Sequence, residues 1–135
     1  MIIVELKGGL GNQLFQYAAA RRLALWHGVP LLFDMAEFSP GHFREYRLHH
    51  LGIAPAPANP ADIRRLRGPE GLLGDVWRWA QRRLPAAKRR YLHERHFHFM
   101  PEVLALGPDA YLSGYWQSEL YFADIAHRLL SLIHI

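Results

Sequence analysis

The chain opens on Met1-Ile2-Ile3-Val4-Glu5-Leu6, a short apolar run rich in β-branched residues, which is the pattern of one buried strand. The rhythm then changes. Leu14, Phe15, Ala18, Ala19, Leu23, Leu25 and Trp26 recur at helical spacing, with polar Gln13, Gln16, Arg21 and Arg22 between them. This helix is predicted to stop at His27-Gly28, with Gly28 as its C-cap. Val29 to Phe33 reads as a second strand, with Pro30 near its start where no ladder hydrogen bond is lost. Strand, helix and strand of this length make a right-handed βαβ unit, so the two strands are expected to be parallel.

Beyond Phe38 the pattern is turn-rich (Ser39-Pro40-Gly41), and Tyr46, Leu48 and Leu51 then suggest a short extended segment. Ala54 to Pro60 is a proline-punctuated, stiff connector. Asn59 or Asp62 is placed to cap a short helix through Leu66, which Gly68-Pro69 breaks. Leu72 to Leu84 reads as a basic amphipathic helix with Leu73, Val76, Trp77 and Ala80 on one side, ended by Pro85. Tyr91 to Met100 alternates like a strand, which puts His96 and His98 on one face and His93 on the other. Pro101 to Leu104 suggests a helical turn. Ala110 to Tyr115 reads as a last strand, leading through Trp116-Gln117-Ser118 into a helix that contains Tyr121, Phe122, Ile125 and Leu129. No internal repeat breaks this α/β alternation.

Composition narrows the class. The 135 residues are 50% hydrophobic, enough to bury a core of one domain, and contain no cysteine, which excludes disulfide frameworks and thiolate metal sites. No run of about 18 apolar residues occurs, and the N-terminus carries no basic leader. The net charge of +4 is uneven. Arg64, Arg65, Arg67, Arg78, Arg82, Arg83, Lys88, Arg89, Arg90 and Arg95 fall in one third of the chain, opposed there by Glu70, Asp75 and Glu94. Such a patch suits nucleic acid, an anionic membrane face or a partner domain; a plainly solvated helix face is the simplest account of it.

The chemistry concentrates between the first strand and the first helix, in Lys7-Gly8-Gly9-Leu10-Gly11-Asn12-Gln13. Glycines there permit a tight turn and close backbone approach to a ligand, and the first helical amides point at it. The dinucleotide pattern G-x-G-x-x-G/A aligns as Gly9, Gly11 and then Leu14, so its third small residue is missing. Walker A fails as well. Asp34 lies near the ribose-binding acidic position of dinucleotide folds, although an Asp at a strand end more often caps the following turn. His93, His96 and His98 offer at most a ligand pair with no third ligand nearby, and no metal is expected.

The longer string Gly8-Gly9-Leu10-Gly11-Asn12-Gln13-Leu14-Phe15-Gln16-Tyr17-Ala18 resembles the opening of the α-1,2-fucosyltransferases. Arg44-Glu45-Tyr46-Arg47-Leu48, followed by Leu51-Gly52-Ile53, is similar to that family's R-x-Y-x-L segment. Tyr111-Leu112-Ser113-Gly114-Tyr115-Trp116-Gln117-Ser118-Glu119-Leu120-Tyr121-Phe122 is similar to its L-x-G-Y-W-Q-S-x-x-Y-F block. The resemblance spans the chain to about residue 128. It implies an α/β fold, the Rossmann-like N-terminal half of a GT-B glycosyltransferase. The implied activity is inverting, metal-independent transfer of L-fucose from GDP-fucose to the 2-hydroxyl of a galactose-containing glycan. GDP-fucose and a galactoside acceptor would be its partners, with no cofactor and no nucleic acid.

On this reading Gly9, Gly11, Asn12 and Gln13 line the cleft, with Asn12 and Gln13 donating hydrogen bonds toward donor sugar or phosphate. Tyr115, Trp116 and Gln117 are acceptor-side candidates, with Tyr115 and Trp116 as core residues the competing account, and Arg44 is either another candidate or a structural ion-pair partner. No catalytic base is assigned; Asp34 and Glu119 are simply available carboxylates. Animal relatives carry a membrane anchor ahead of the catalytic region, whereas this chain begins at that region. The expected location is therefore cytoplasmic, with peripheral membrane association through the basic patch. The competing readings are a dinucleotide-binding oxidoreductase half and a basic nucleic-acid-binding module.

The family's donor half carries an H-x-R-R-G-D segment, and no such string occurs here. Residues 1–129 are accordingly expected to form the acceptor-side domain alone, catalytically dead without its C-terminal donor-binding partner. Leu130-Ser131-Leu132-Ile133-His134-Ile135 departs from the family pattern. Back-translated as CTG TCT CTT ATA CAC ATC, it matches a transposon end used to prepare sequencing libraries, so residues 130–135 are expected to be a non-native tail.

Overall fold

The computed structural model describes residues 1–39 and 45–132. Four short strands form one sheet: β1 (Ile2–Glu5), β2 (Leu31–Asp34), β3 (Tyr91–His93) and β4 (Ala110–Ser113). The order across the sheet is β2-β1-β4-β3, and every pairing is parallel. The expected βαβ unit is present: Ile2 to Glu5 pair in register with Leu31 to Asp34 across the intervening helix α1 (Leu10–His27). Gly28 closes α1 in the left-handed region at φ 65°, where a glycine carries no Cβ penalty.

Alternation along β1 divides the core. Ile2, Val4 and Leu6 join Phe33, Leu112, Tyr17, Ala20 and Leu23 beneath α1. Ile3 and Tyr111 point the other way, onto Leu66 of helix α2 (Pro60–Arg67). A parallel sheet covered on both faces needs such apolar strands. The chain is thus a mixed α/β domain with a small parallel sheet, compatible with a Rossmann-like fold.

The face that α1 buries takes in Ala18, Ala19 and Leu23 of its apolar spacing and adds polar residues to them. Gln13, Gln16 and Arg22 are buried, while Trp26 is 70% exposed and lies against the Arg22 guanidinium at 5.2 Å. Ala18, Ala19, Ala20 and Ala24 let the helix sit close to the sheet, and the two glutamines are used for hydrogen bonding inside it. The connector also does more than link. Phe33 donates its N–H to Ala56 O at 2.8 Å and accepts from the Ala58 N–H at 2.8 Å, so Pro57 extends the free edge of β2. Asn59 then caps α2 through its Oδ1, which accepts the Asp62 N–H at 2.8 Å.

Four expected elements differ. The strand drawn over Tyr91 to Met100 ends at His93: the Glu94 N–H still reaches the Ser113 carbonyl at 2.9 Å, but its carboxylate accepts backbone amides of the loop after β4, and the β3–β4 pairing goes no further. The segment through Leu48 and Leu51 is a 3₁₀ turn (Leu48–Leu51) closed by Gly52 at φ 76°, not an extended strand. The final helix takes in Leu129 but not Tyr121, Phe122 or Ile125: two 3₁₀ turns (Glu119–Tyr121, Ala123–Ile125) precede helix α4 (Ala126–Leu132), in which Leu129 is buried. Helix α3 (Leu72–Gln81) stops short of the predicted Leu84. Among the described residues no helix is long and apolar enough to cross a membrane.

Candidate active site at the carboxyl edge of the sheet

In open parallel sheets the ligand crevice lies beyond the carboxyl ends of the strands. Here the loops after the two central strands, β1 and β4, meet at that edge. Gly8 takes φ 78°, and Gly9 begins α1 without any side-chain cap or acidic residue in the first turn. The opening amides of the helix therefore keep the partial positive charge that favours an anion or a polar oxygen. A Cβ on Gly11 would meet nothing within 4 Å, so its exposed backbone is open to an approaching ligand.

Two buried glutamines hold this loop. Gln16 pairs with the Lys7 backbone in both directions, accepting its N–H at 2.9 Å and donating to its carbonyl at 3.2 Å. Gln13 donates to the carbonyls of Gly8 at 2.9 Å and Glu45 at 3.0 Å, and accepts the Arg47 N–H at 2.9 Å. Its amide is fully used by backbone, so Gln13 does not present a donor to the cleft. This corrects the role expected of it: the residue positions the loop and the 45–47 segment.

The loop after β4 supplies the other wall. Glu94 accepts the N–H of Tyr115 at 3.0 Å and of Trp116 at 3.1 Å. These bonds hold Trp116 at φ 55°, uncommon for a bulky residue, with its indole wholly buried against Tyr121. Trp116 is therefore core and not an acceptor platform. Tyr115 is half-buried, with Lys7 Nζ 4.9 Å from its ring centre, and exposed Gln117 donates from Nε2 to Asn12 Oδ1. Gly9, Gly11, Asn12, Tyr115 and Gln117 are thus gathered at one edge. Arg44 lies outside the described residues.

A second feature, which sequence reasoning passed over, sits on the α2 side of the same edge. Glu5 and Asp34 are register partners at the ends of β1 and β2. The Tyr111 hydroxyl lies between them, 2.5 Å from Asp34 Oδ2 and 3.3 Å from Glu5 Oε2. Burial, then the two neighbouring carboxylates, push the Tyr111 phenol far above its ordinary pKa, so it stays a donor. A cleft of about 580 Å³ opens on Glu5 and Asp34, with Arg64 and Arg67 on its rim. The signal available in the sequence was position alone, a carboxylate as the last residue of each of two adjacent parallel strands.

Asp34 Oδ1 also accepts the Ala36 N–H at 3.1 Å, so this residue caps the turn that follows β2, and each of its oxygens already accepts a bond. That leaves little for a ribose. His96 and His98 stand 5.4 Å apart by ring centres, and His93 Nδ1 lies 3.2 Å from Ser113 Oγ. Among the described residues no three His, Cys, Asp or Glu side chains gather as metal ligands. Comparison with protein-family models, curated proteins and solved structures returns no match.

Proposed function

We propose that this chain is the acceptor-side, Rossmann-like half of a GT-B α-1,2-fucosyltransferase, and that the edge between β1 and β4 receives a galactoside. One observation carries the reading. The three stretches that resemble the family lie far apart in sequence, yet they converge: Asn12 of the first is bonded to Gln117 of the third, and Gln13 of the first to Glu45 and Arg47 of the second.

The chemistry asks for two things, removal of the acceptor hydroxyl proton and stabilisation of the departing diphosphate. The uncapped start of α1 provides positive potential at this edge, beside a Lys7 ammonium that is paired with Glu5 at 3.0 Å. Tyr115 offers a ring face for the apolar side of a pyranose. Asn12 and Gln117 offer amide donors and acceptors for its hydroxyls.

A backbone-resolved NMR titration tests the proposal. Methyl β-galactoside and GDP-fucose are expected to shift the amides of Gly9 to Asn12 and Tyr115 to Gln117, with the galactoside response weakened by Asn12→Ala or Gln117→Ala. If neither ligand moves these amides while NADH or an oligonucleotide does, the reading fails.

A further inference from the structure

Helix α3 is inside out. The residues it turns toward the body are Gly74, Trp77, Arg78 and Gln81: Gly74 and Gln81 are buried, and Trp77 is half-buried against Gly68. A Cβ on Gly74 would collide with the Pro69 carbonyl oxygen, and Gln81 Oε1 accepts the Arg90 N–H at 2.9 Å. Arg78 adds hydrogen bonds to the carbonyls of Arg67 and Pro69, each at 3.1 Å. The apolar stripe points the other way: Leu72 is 77% exposed, Leu73 82%, Val76 56% and Trp79 53%. A surface helix of a globular domain ordinarily buries that stripe.

Arg82 and Arg83 border the stripe at its C-terminal end, and Lys88 and Arg90 follow along the chain; all four are exposed, and none pairs with a carboxylate among the described residues. The Arg83 guanidinium lies 4.8 Å from the Trp79 ring centre. Next to them is a pocket of about 190 Å³ lined by Trp79, Arg82, Arg89, Tyr91 and Arg95. Arg89 Nη1, shut off from solvent, has no acceptor among the described residues.

We infer that α3 is an interfacial helix that docks this domain on an anionic bilayer. Leu72, Leu73, Val76 and Trp79 enter the boundary between headgroups and acyl chains, and the cationic border meets the lipid phosphates. Leucine and valine have nothing to offer a nucleic-acid backbone. A second copy on this face would bring two cationic borders together, and the carboxylate on the helix, Asp75, is already paired with Arg78 at 2.7 Å. A bilayer satisfies both the apolar stripe and its cations. The inference is independent of fucosyl transfer.

Vesicle flotation of the 135-residue chain is the test. Binding is expected to vesicles of phosphatidylglycerol and phosphatidylcholine, to fall with added salt, and to be absent on phosphatidylcholine alone. Arg82→Gln with Arg83→Gln should weaken it about tenfold or more. Leu73→Ser with Val76→Ser should abolish it, and because both side chains are exposed, circular dichroism of that variant should match the parent. Three results overturn the inference: no binding to anionic vesicles, binding that survives Leu73→Ser/Val76→Ser, or a solution dimer broken by that double substitution with no lipid binding. Nucleic-acid binding in place of lipid binding, lost only in the arginine variant, would assign the face to that ligand instead.

Discussion

Gln13 accepts the backbone N–H of Arg47 at 2.9 Å, joining the start of the first helix to a segment 34 positions along the chain. The same amide donates to the Gly8 and Glu45 carbonyls, so one buried side chain closes three backbone groups. Leaving such groups without partners costs about 1–3 kcal/mol each where water cannot replace them. Gln13→Ala is expected to lower unfolding free energy by about 3 kcal/mol, because some of the exposed backbone will rehydrate.

Gln13→Glu is the sharper variant. It keeps the shape but sets carboxylate oxygens against the Gly8 and Glu45 carbonyl oxygens. Protonation would restore a donor, so the folded-state pKa must lie above the unfolded value of about 4.3. The variant should be most stable relative to the parent at acid pH and lose that ground as pH rises through the folded pKa. Denaturant titration across pH reads this directly. Parent-like stability at neutral pH would show that the amide is not the latch described.

Gly8 and Gly11 should answer to substitution with opposite signs. Gly8 combines φ 78° with an Asn12 Nδ2 only 2.5 Å from where a Cβ would stand. Gly8→Ala is expected to cost about 1–3 kcal/mol. Gly11 lies inside α1 facing open space, so Gly11→Ala should stabilise the helix by up to about 1 kcal/mol. If a ligand approaches that backbone, the same methyl should weaken its binding. Thermal unfolding together with the galactoside titration separates the two effects, and a Gly11→Ala variant that binds normally would remove Gly11 from the proposed site.

Much of the fold was legible in the pattern of residues. The β-branched run at Ile2 to Val4, the glycine stop at Gly28 and the cap of α2 each act through a local mechanism; the first two are found where they were read, and the cap falls to Asn59 of the two candidates Asn59 and Asp62. What failed depends on distant partners. Nothing near Gln13 in sequence announces Glu45 and Arg47, so its amide looked free to meet a ligand. Tyr91 to Met100 alternates convincingly, but the ladder ends at Glu94, whose carboxylate accepts amides 21 and 22 residues away. Trp116 beside a strand end looked like a sugar platform; its left-handed backbone turns the indole into the core. The Glu5–Tyr111–Asp34 arrangement needs the strand order, which no local signal supplies.

Glu94 should control the geometry of the loop that carries Tyr115 and Gln117. Glu94→Ala removes the acceptor of two backbone N–H groups at once, and Glu94→Gln keeps one acceptor oxygen. Hydrogen exchange at the amides of Tyr115 and Trp116 should accelerate strongly in Glu94→Ala and less in Glu94→Gln. Total stability should fall by about 2 kcal/mol in the alanine variant. Unchanged exchange at both amides would mean that the loop holds its shape without the carboxylate.

The ion pairs at Asp109 set an acid limb of stability. The Arg65 guanidinium hydrogen-bonded to Asp109 holds its carboxyl below the usual carboxylate range, against opposing desolvation, and the Met1 ammonium at 3.2 Å adds to the effect. A depressed folded-state pKa means that this contribution is present above the unfolded value of 3.8 and is lost as pH falls through the folded one. The group is partly exposed, so solvent screening keeps its worth to about 1 kcal/mol or less. Asp109→Asn is therefore expected to unfold slightly more easily at neutral pH, and the difference from the parent should close as both are titrated to strong acid. Added salt should narrow the gap at neutral pH as well. Urea midpoints measured at neutral and strongly acid pH decide the matter: a gap that persists in strong acid would place the effect of Asp109 in packing and not in charge.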